Sequence, residues 1–170
     1  RETGFARKTV DKYINEYDYS NIATILKDKE HIFYLGRGID YYLSMEGSLK
    51  LKEISYIHSE AFQAGELKHG SISLIDKDFG VVSVVTDKTI SDKTISNLKE
   101  VSARGAKIIT ITNIKDNNFA DYTILVEDYD EILNPLLVIV PMQMLAYNVA
   151  KLRDCDIDKP RNLAKSVTVE

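Results

Sequence analysis

Two runs of apolar residues, separated by one amphipathic helix pattern, constrain the fold of this chain more than any other feature. Residues 80–86 and 106–112 are rich in Val, Ile and Thr and hardly alternate with polar residues. Such runs indicate strands that are buried on both faces. Between them, residues 91–104 carry apolar side chains at helical spacing, and Gly105 follows where the helix is expected to end. A strand, a helix and a second buried strand predict a parallel sheet with helices on both faces.

The same alternation extends over most of the chain. Residues 31–35 and 122–126 are predicted as two further strands. Helical spacing covers residues 1–28 and 40–53, and a long apolar helix is predicted over 134–152, with Asn134 as its cap and Pro135 in its first turn. We therefore predict an α/β fold, a three-layer α/β/α sandwich around a parallel sheet of about five strands.

Composition and charge exclude several classes of protein. The 170 residues suffice for one domain with a sizeable core, and 44% hydrophobic content excludes a mainly disordered chain. A net charge of −4 provides no basic field for nucleic acid. The single cysteine, Cys155, excludes an internal disulfide framework and a cysteine-based zinc cluster, and it fits a reducing compartment. Proline and polar residues within 134–152 favour a buried helix over a membrane span.

The domain organisation is predicted to be simple. We expect one domain over residues 1–153, followed by a polar C-terminal arm over residues 154–170 that lacks periodicity. The sequence opens at Arg1, with no Met and no signal segment, so we expect a piece of a longer protein.

The segment Gly36-Arg37-Gly38 follows a strand and precedes a helix, which is where open α/β sheets bind ligands. A dinucleotide fingerprint requires a third glycine at position 41, where this chain has Tyr41. A tight turn is therefore the favoured interpretation, and phosphate binding is the weaker one.

Glu46, Lys50 and Glu53 are spaced at i, i+4 and i+7, so they share one helix face. Such spacing is typical of a solvated ion-pair stripe. The small residues Gly47 and Ser48 would instead allow another backbone to approach, and a carboxylate at a helix end suits a general base. Both interpretations, a surface stripe and a site, stay open.

Other candidate residues have similarly plain alternatives. His58 lacks a recognised metal-ligand spacing to nearby carboxylates, so no metal is expected, and His69 either transfers protons from a turn or has a structural role. Lys165 would be a solvated tail lysine by composition alone. Hydroxyl groups that could hold a phosphate, or simply form a turn and a cap, belong to Ser83, Thr86, Thr89 and Ser91.

Several segments resemble one family, the glutamine–fructose-6-phosphate amidotransferases, also called glucosamine-6-phosphate synthases. The resemblance covers the second sugar-isomerase (SIS) half of the family's C-terminal isomerase domain and spans essentially the whole chain. Two positions depart from the family pattern, since Tyr42 and Ser71 stand where prolines are usual. The matching segments are residues 35–38, 46–58, 60–62, 65–70 and 158–170.

The resemblance implies a SIS, flavodoxin-like fold and a specific activity. The family converts fructose 6-phosphate and glutamine-derived ammonia to glucosamine 6-phosphate, with no metal or organic cofactor. By this resemblance Glu53 is the base that moves a proton between C1 and C2, His69 assists ring opening in the partner subunit's site, and Lys165 forms a Schiff base with the open-chain ketose. Supporting or substrate-binding roles are implied for Glu46, Lys50 and Ala164.

The resemblance also implies partners that this sequence does not contain. The glutaminase domain that supplies ammonia and the first SIS half are both expected to lie outside these 170 residues, so we expect the chain alone to be essentially inactive. We further expect a homodimer in the cytoplasm, with neither nucleic acid nor a membrane as partner. The alternative is a non-catalytic SIS module that binds a sugar phosphate, although an imine-forming lysine would have no use there. A phosphosugar isomerase that uses no ammonia is disfavoured by the ending 158–170.

Overall fold

The computed structural model describes residues 2–115, 118–129 and 133–163. Two short 3₁₀ helices, Glu66–His69 and Ser71–Leu74, follow the second strand. The helices are α1 (Glu2–Asn15), α2 (Ser20–Leu26), α3 (Ile39–Ser55), α4 (Ser91–Ser102) and α5 (Asn134–Leu152). The strands are β1 (His31–Gly36), β2 (His58–Gln63), β3 (Gly80–Val85), β4 (Lys107–Thr112) and β5 (Tyr122–Leu125).

The five described strands form one sheet, in the order β2-β1-β3-β4-β5, and every neighbouring pair is parallel. This order is that of flavodoxin-like folds. The predicted α/β class and the parallel five-stranded sheet are confirmed.

Helices cover both faces of the sheet, but unequally. Ile32 and Tyr34 point to the face that packs against α1, α2, α3 and α5, whereas Phe33 and Leu35 point to the face that packs against α4 and the 3₁₀ helices. Successive strand residues alternate between faces, so both sides of β1, β3 and β4 are buried. The unbroken apolar runs in the sequence follow from this double burial.

Strand β2 is the described element that the sequence patterns miss. Its sequence, HSEAFQ, contains four polar residues, and only Ser59 is buried. It lies at an edge of the sheet and pairs only with β1, so neither face needs an apolar run.

Helix α5 is the buried helix that the sequence predicts. By length and composition alone it could cross a membrane. In the fold, however, Val138, Leu145 and Val149 are buried against the same core as α3. The N-cap position is occupied by Leu133 and not, as the sequence predicts, by Asn134. The Asn134 side chain instead bonds to the preceding loop, where its Oδ1 accepts a hydrogen bond from the backbone N–H of Tyr129 at 2.9 Å.

Candidate functional site

The turn after β1 lies at the carboxyl edge of the sheet, next to the point where the strand order reverses. A Cβ atom at Gly36 would lie 2.3 Å from the carbonyl oxygen of Asp40, so the turn requires glycine there. Gly38 has φ of 56°, a left-handed conformation that other residues rarely adopt. The tight-turn interpretation of these glycines is supported by the close backbone approach.

A buried carboxylate occupies the hydrogen-bond donors at this edge of the sheet. Asp40 is only 2% exposed. Its two oxygens accept hydrogen bonds from the backbone N–H of Thr86 at 2.8 Å, from the Thr86 hydroxyl at 2.5 Å and from the N–H of Asp87 at 3.1 Å. These are the donors that an incoming anion would use, so Asp40 already satisfies them.

The other hydroxyl groups near this loop also have internal partners. The N–H and hydroxyl of Thr89 donate to Asp87, and the Ser91 hydroxyl donates to the carbonyl of Lys88. Ser83 is buried within the sheet and hydrogen-bonds to the neighbouring strand. The loop after β3 is therefore an internally bonded turn, the interpretation that the sequence favours.

Helix α3 brings Glu46, Lys50 and Glu53 together. Lys50 Nζ lies 2.9 Å from Glu53 Oε2 and 3.7 Å from Glu46 Oε1. The Glu53 and Lys50 side chains are 22% and 34% exposed. The hydrogen bond to Glu53 raises the pKa of Lys50, with a further contribution from Glu46. The arrangement is a half-buried acid–base cluster rather than a fully solvated stripe.

The opposite side of α3 explains why small residues flank this cluster. A Cβ at Gly47 would lie 2.6 Å from Met142 Sδ and 2.9 Å from Tyr34 Cε1. The Ser48 hydroxyl hydrogen-bonds to Ser59 at 3.2 Å. Gly47 and Ser48 thus let α5 and the sheet approach α3 closely, which fixes the helix that carries the cluster.

His69 is not part of this cluster. It ends a 3₁₀ helix, its side chain is 77% exposed, and its Nε2 lies 4.0 Å from Glu66 Oε2. Helix α3 runs from the carboxyl edge of the sheet back to the amino edge, because it joins two parallel strands. Glu53 therefore lies near the amino edge, whereas His69 follows the carboxyl end of β2. A six-residue strand separates these edges by about 20 Å.

The described contact of His58 is with another histidine. His58 Nδ1 lies 3.2 Å from Nδ1 of His31 on the adjacent strand, a contact set by the register of β1 and β2. In the described part of the chain, no three His, Cys, Asp or Glu side chains are grouped so that they could hold a metal ion.

Ala164 and Lys165 lie outside the described residues. The family model described as "SIS domain" matches residues 25–153. The chain belongs to the SIS domain family.

This SIS domain is similar to several curated proteins named glutamine–fructose-6-phosphate aminotransferase (isomerizing). One from Methanosarcina mazei is 54% identical over 141 residues, which cover 81% of this chain and 23% of the relative. One from Gluconobacter oxydans is 45% identical over 167 residues, which cover 96% of this chain and 28% of the relative. The SIS domain thus spans about a quarter of the length of these relatives.

A solved structure gives the same indication. The C-terminal domain of glucosamine-fructose-6-phosphate aminotransferase from Francisella tularensis superimposes with a TM-score of 0.84 at 37% identity. The superposition covers 93% of this chain and 46% of that one.

Arg153, the last residue of the SIS domain match, and Arg161, which lies beyond it, both contact the end of α3. Arg153 Nε donates to the carbonyl of Ser55 at 3.0 Å, and the N–H of Arg161 donates to the Tyr56 hydroxyl at 2.8 Å. No local pattern in the sequence indicates these contacts, because they join residues about 100 positions apart. They place the described part of the arm at the same edge as Glu53.

Proposed function

We propose that this chain is part of the isomerase domain of a glutamine–fructose-6-phosphate aminotransferase. In this role it converts fructose 6-phosphate and glutamine-derived ammonia to glucosamine 6-phosphate. The observation that carries the proposal is the 54% identity to a protein of that name over 141 residues. A match of this length in a 170-residue chain has to include α3, which holds the half-buried cluster of Glu46, Lys50 and Glu53.

The reaction needs an amine that forms an imine and a carboxylate that moves a proton, and Lys165 and Glu53 have these groups. The amine of Lys165 attacks the C2 ketone of the open-chain sugar, and loss of water gives an imine that acidifies the hydrogens on C1. The Glu53 carboxylate takes a proton from C1 and returns it to C2, so the double bond moves from C2 to C1. Before this proton transfer, ammonia displaces the lysine amine from C2, and the ammonia nitrogen becomes the amino group of the product.

The product's amino group is on C2, and this fixes the order of amine exchange and proton transfer. The ammonia nitrogen has to enter at C2, and the lysine amine leaves from that carbon before the proton transfer from C1 to C2 is complete. Thus imine exchange at C2 comes first, and Glu53 then moves the proton that converts the C2 imine to the C1 aldehyde form of the amino sugar. Lys165 and water are both released, and the atoms balance as fructose 6-phosphate plus ammonia giving glucosamine 6-phosphate plus water.

In this scheme, Lys50 supports the base. Its ammonium donates a hydrogen bond to Glu53 and lies near Glu46. It therefore orients the carboxylate while keeping its second oxygen available for the sugar.

A homodimer in the cytoplasm is part of the proposal. Glu53 and His69 lie near opposite edges of one sheet, so one copy of the chain does not bring them to a single sugar. A second copy can supply the imidazole that assists ring opening.

Ammonia would come from a glutaminase domain of the complete protein.

The test is Glu53→Gln in the full-length enzyme. The amide keeps the shape of the side chain but removes the base, so formation of glucosamine 6-phosphate should fall roughly 10²-fold or more. Glutamine hydrolysis should be retained, because it occurs in a different domain.

Exchange of the C1 hydrogen with solvent, followed by NMR in deuterated water, reports on the proton transfer itself. Glu16→Gln, at an exposed position after α1, is the matched control and should exchange normally. Unchanged exchange in Glu53→Gln would remove Glu53 from the role of base.

A further inference from the structure

The end of α3 makes two contacts with one residue of the C-terminal arm. Tyr56 follows the last helical residue, and its hydroxyl accepts a hydrogen bond from the backbone N–H of Arg161 at 2.8 Å. The guanidinium carbon of Arg161 lies 4.2 Å from the centre of the Tyr56 ring, within the range of a cation–π contact. We call this pair the Tyr56–Arg161 clip.

Neighbouring contacts lead the arm towards the clip. Arg153 donates to the carbonyl of Ser55, and the Cys155 thiol lies 3.8 Å from the same carbonyl oxygen. The backbone N–H of Lys159 donates to Asp156, which closes a turn just before Arg161. The arm is thus fixed at its start and again at the clip.

The backbone of Tyr56 is unusual for a tyrosine. Its φ of 60° and ψ of 16° lie in the left-handed region, where glycine is the common residue at a helix end. The ring is only partly buried and contributes little to the core, so its packing does not account for this conformation. Its described partner is the arm.

We propose that the Tyr56–Arg161 clip is a positioning device that brings Lys165 to Glu53, an inference that rests on the proposed function. Glu53 precedes Tyr56 by three residues, about 4.5 Å along a helix. Lys165 follows Arg161 by four residues, and an extended chain of that length spans about 14 Å. One helix end thus carries the base and anchors the segment of chain that leads to Lys165.

The test uses the full-length enzyme with fructose 6-phosphate and borohydride, which reduces an imine to a stable amine. Peptide mapping then measures the sugar bound to Lys165. Tyr56→Ala should lower the rate of trapping at Lys165 by about tenfold or more, and Arg161→Ala should do the same. Tyr56→Phe keeps the ring and loses the hydrogen-bond acceptor, so it should restore part of the rate. Glutamine hydrolysis should not change.

Tyr42→Ala is the matched control, because Tyr42 is an exposed tyrosine at the other end of α3. It should trap sugar at the normal rate. If Tyr56→Ala does not fold, Arg161→Ala provides the same measurement, since Arg161 is exposed on the arm.

The outcomes separate the clip from the function on which it rests. No trapping on Lys165 in the unsubstituted enzyme would contradict the proposed function. Trapping in that enzyme at a rate that Tyr56→Ala and Arg161→Ala leave unchanged would contradict only the clip. The double variant should lose no more than either single variant, and a further multiplicative loss would show that the two residues do not act as one unit.

Discussion

Asp40 is a single residue whose carboxylate holds two elements together. It lies in the first turn of α3, and its partners, Thr86 and Asp87, follow β3. Burial raises the pKa of Asp40 from its ordinary value of 3.8, the hydrogen bonds from Thr86 and Asp87 oppose the rise, and the charge of Asp87 adds to it. The folded state therefore binds a proton at Asp40 more tightly than the unfolded state does.

This difference predicts how stability changes with pH. Just above pH 3.8 the folded state holds more protons than the unfolded state, so the Asp40 contribution to the free energy of unfolding falls as pH rises. It becomes constant once the pH exceeds the folded-state pKa. Asp40→Asn has no proton to bind and should remove this slope, as measured by urea unfolding from pH 4 to pH 7.

Asp18→Asn provides a control of opposite sign. Hydrogen bonds from Ser20 lower the pKa of Asp18 in the folded state. Its contribution to stability is therefore present above the unfolded-state pKa and is lost as pH falls. A difference between Asp40→Asn and the unsubstituted chain that does not vary with pH would contradict the assignment for Asp40.

At the scale of elements, two glycines set how closely α3 approaches its neighbours. A Cβ at Gly36 would meet the backbone of Asp40 and Tyr41, whereas a Cβ at Gly47 would meet the flexible end of Met142 and the ring of Tyr34. Gly36→Ala should therefore lower the free energy of unfolding by about 1–3 kcal/mol. Gly47→Ala should cost less, because Met142 can move and alanine favours a helix.

Urea unfolding of both variants at neutral pH measures this order. Both substitutions add one methyl group, so the expected order of the two losses in stability depends on which atoms the methyl group meets. At Gly36 these are backbone atoms, and at Gly47 they are side-chain atoms. An equal loss, or a greater loss for Gly47→Ala, would show that the turn after β1 can adjust more easily than the contact between α3 and α5.

The elements that sequence predicts are those whose burial shows in the pattern of neighbouring residues. Strands β1, β3 and β4 are buried along nearly their full length and are rich in apolar residues. β2 is mostly polar because it lies at the edge of the sheet, so its pattern does not distinguish it from a loop. The cluster on α3 is predictable because its spacing is that of one helix face. The contacts of Asp40 and Tyr56 are not, since they depend on tertiary packing between distant segments.

At the scale of the whole molecule, the sheet separates two residues that the proposed reaction uses together. Glu53 lies near the amino edge of the sheet, and His69 comes after the carboxyl end of β2. We therefore predict that the purified 170-residue chain is essentially inactive. The measurement is glucosamine 6-phosphate formation from fructose 6-phosphate and ammonia, with the full-length enzyme as the positive control. Turnover by the chain near that of the complete enzyme would contradict the prediction.

The left-handed backbone of Tyr56 has a consequence for protein engineering. Glycine at that position would relieve strain of about 1–2 kcal/mol. A redesign guided only by thermal stability would therefore favour glycine there, and it would remove both contacts to Arg161. The fold would tolerate the exchange while the arm lost its anchor. Under the proposed role of the Tyr56–Arg161 clip, a gain in melting temperature at this helix end would come at the expense of turnover in the complete enzyme.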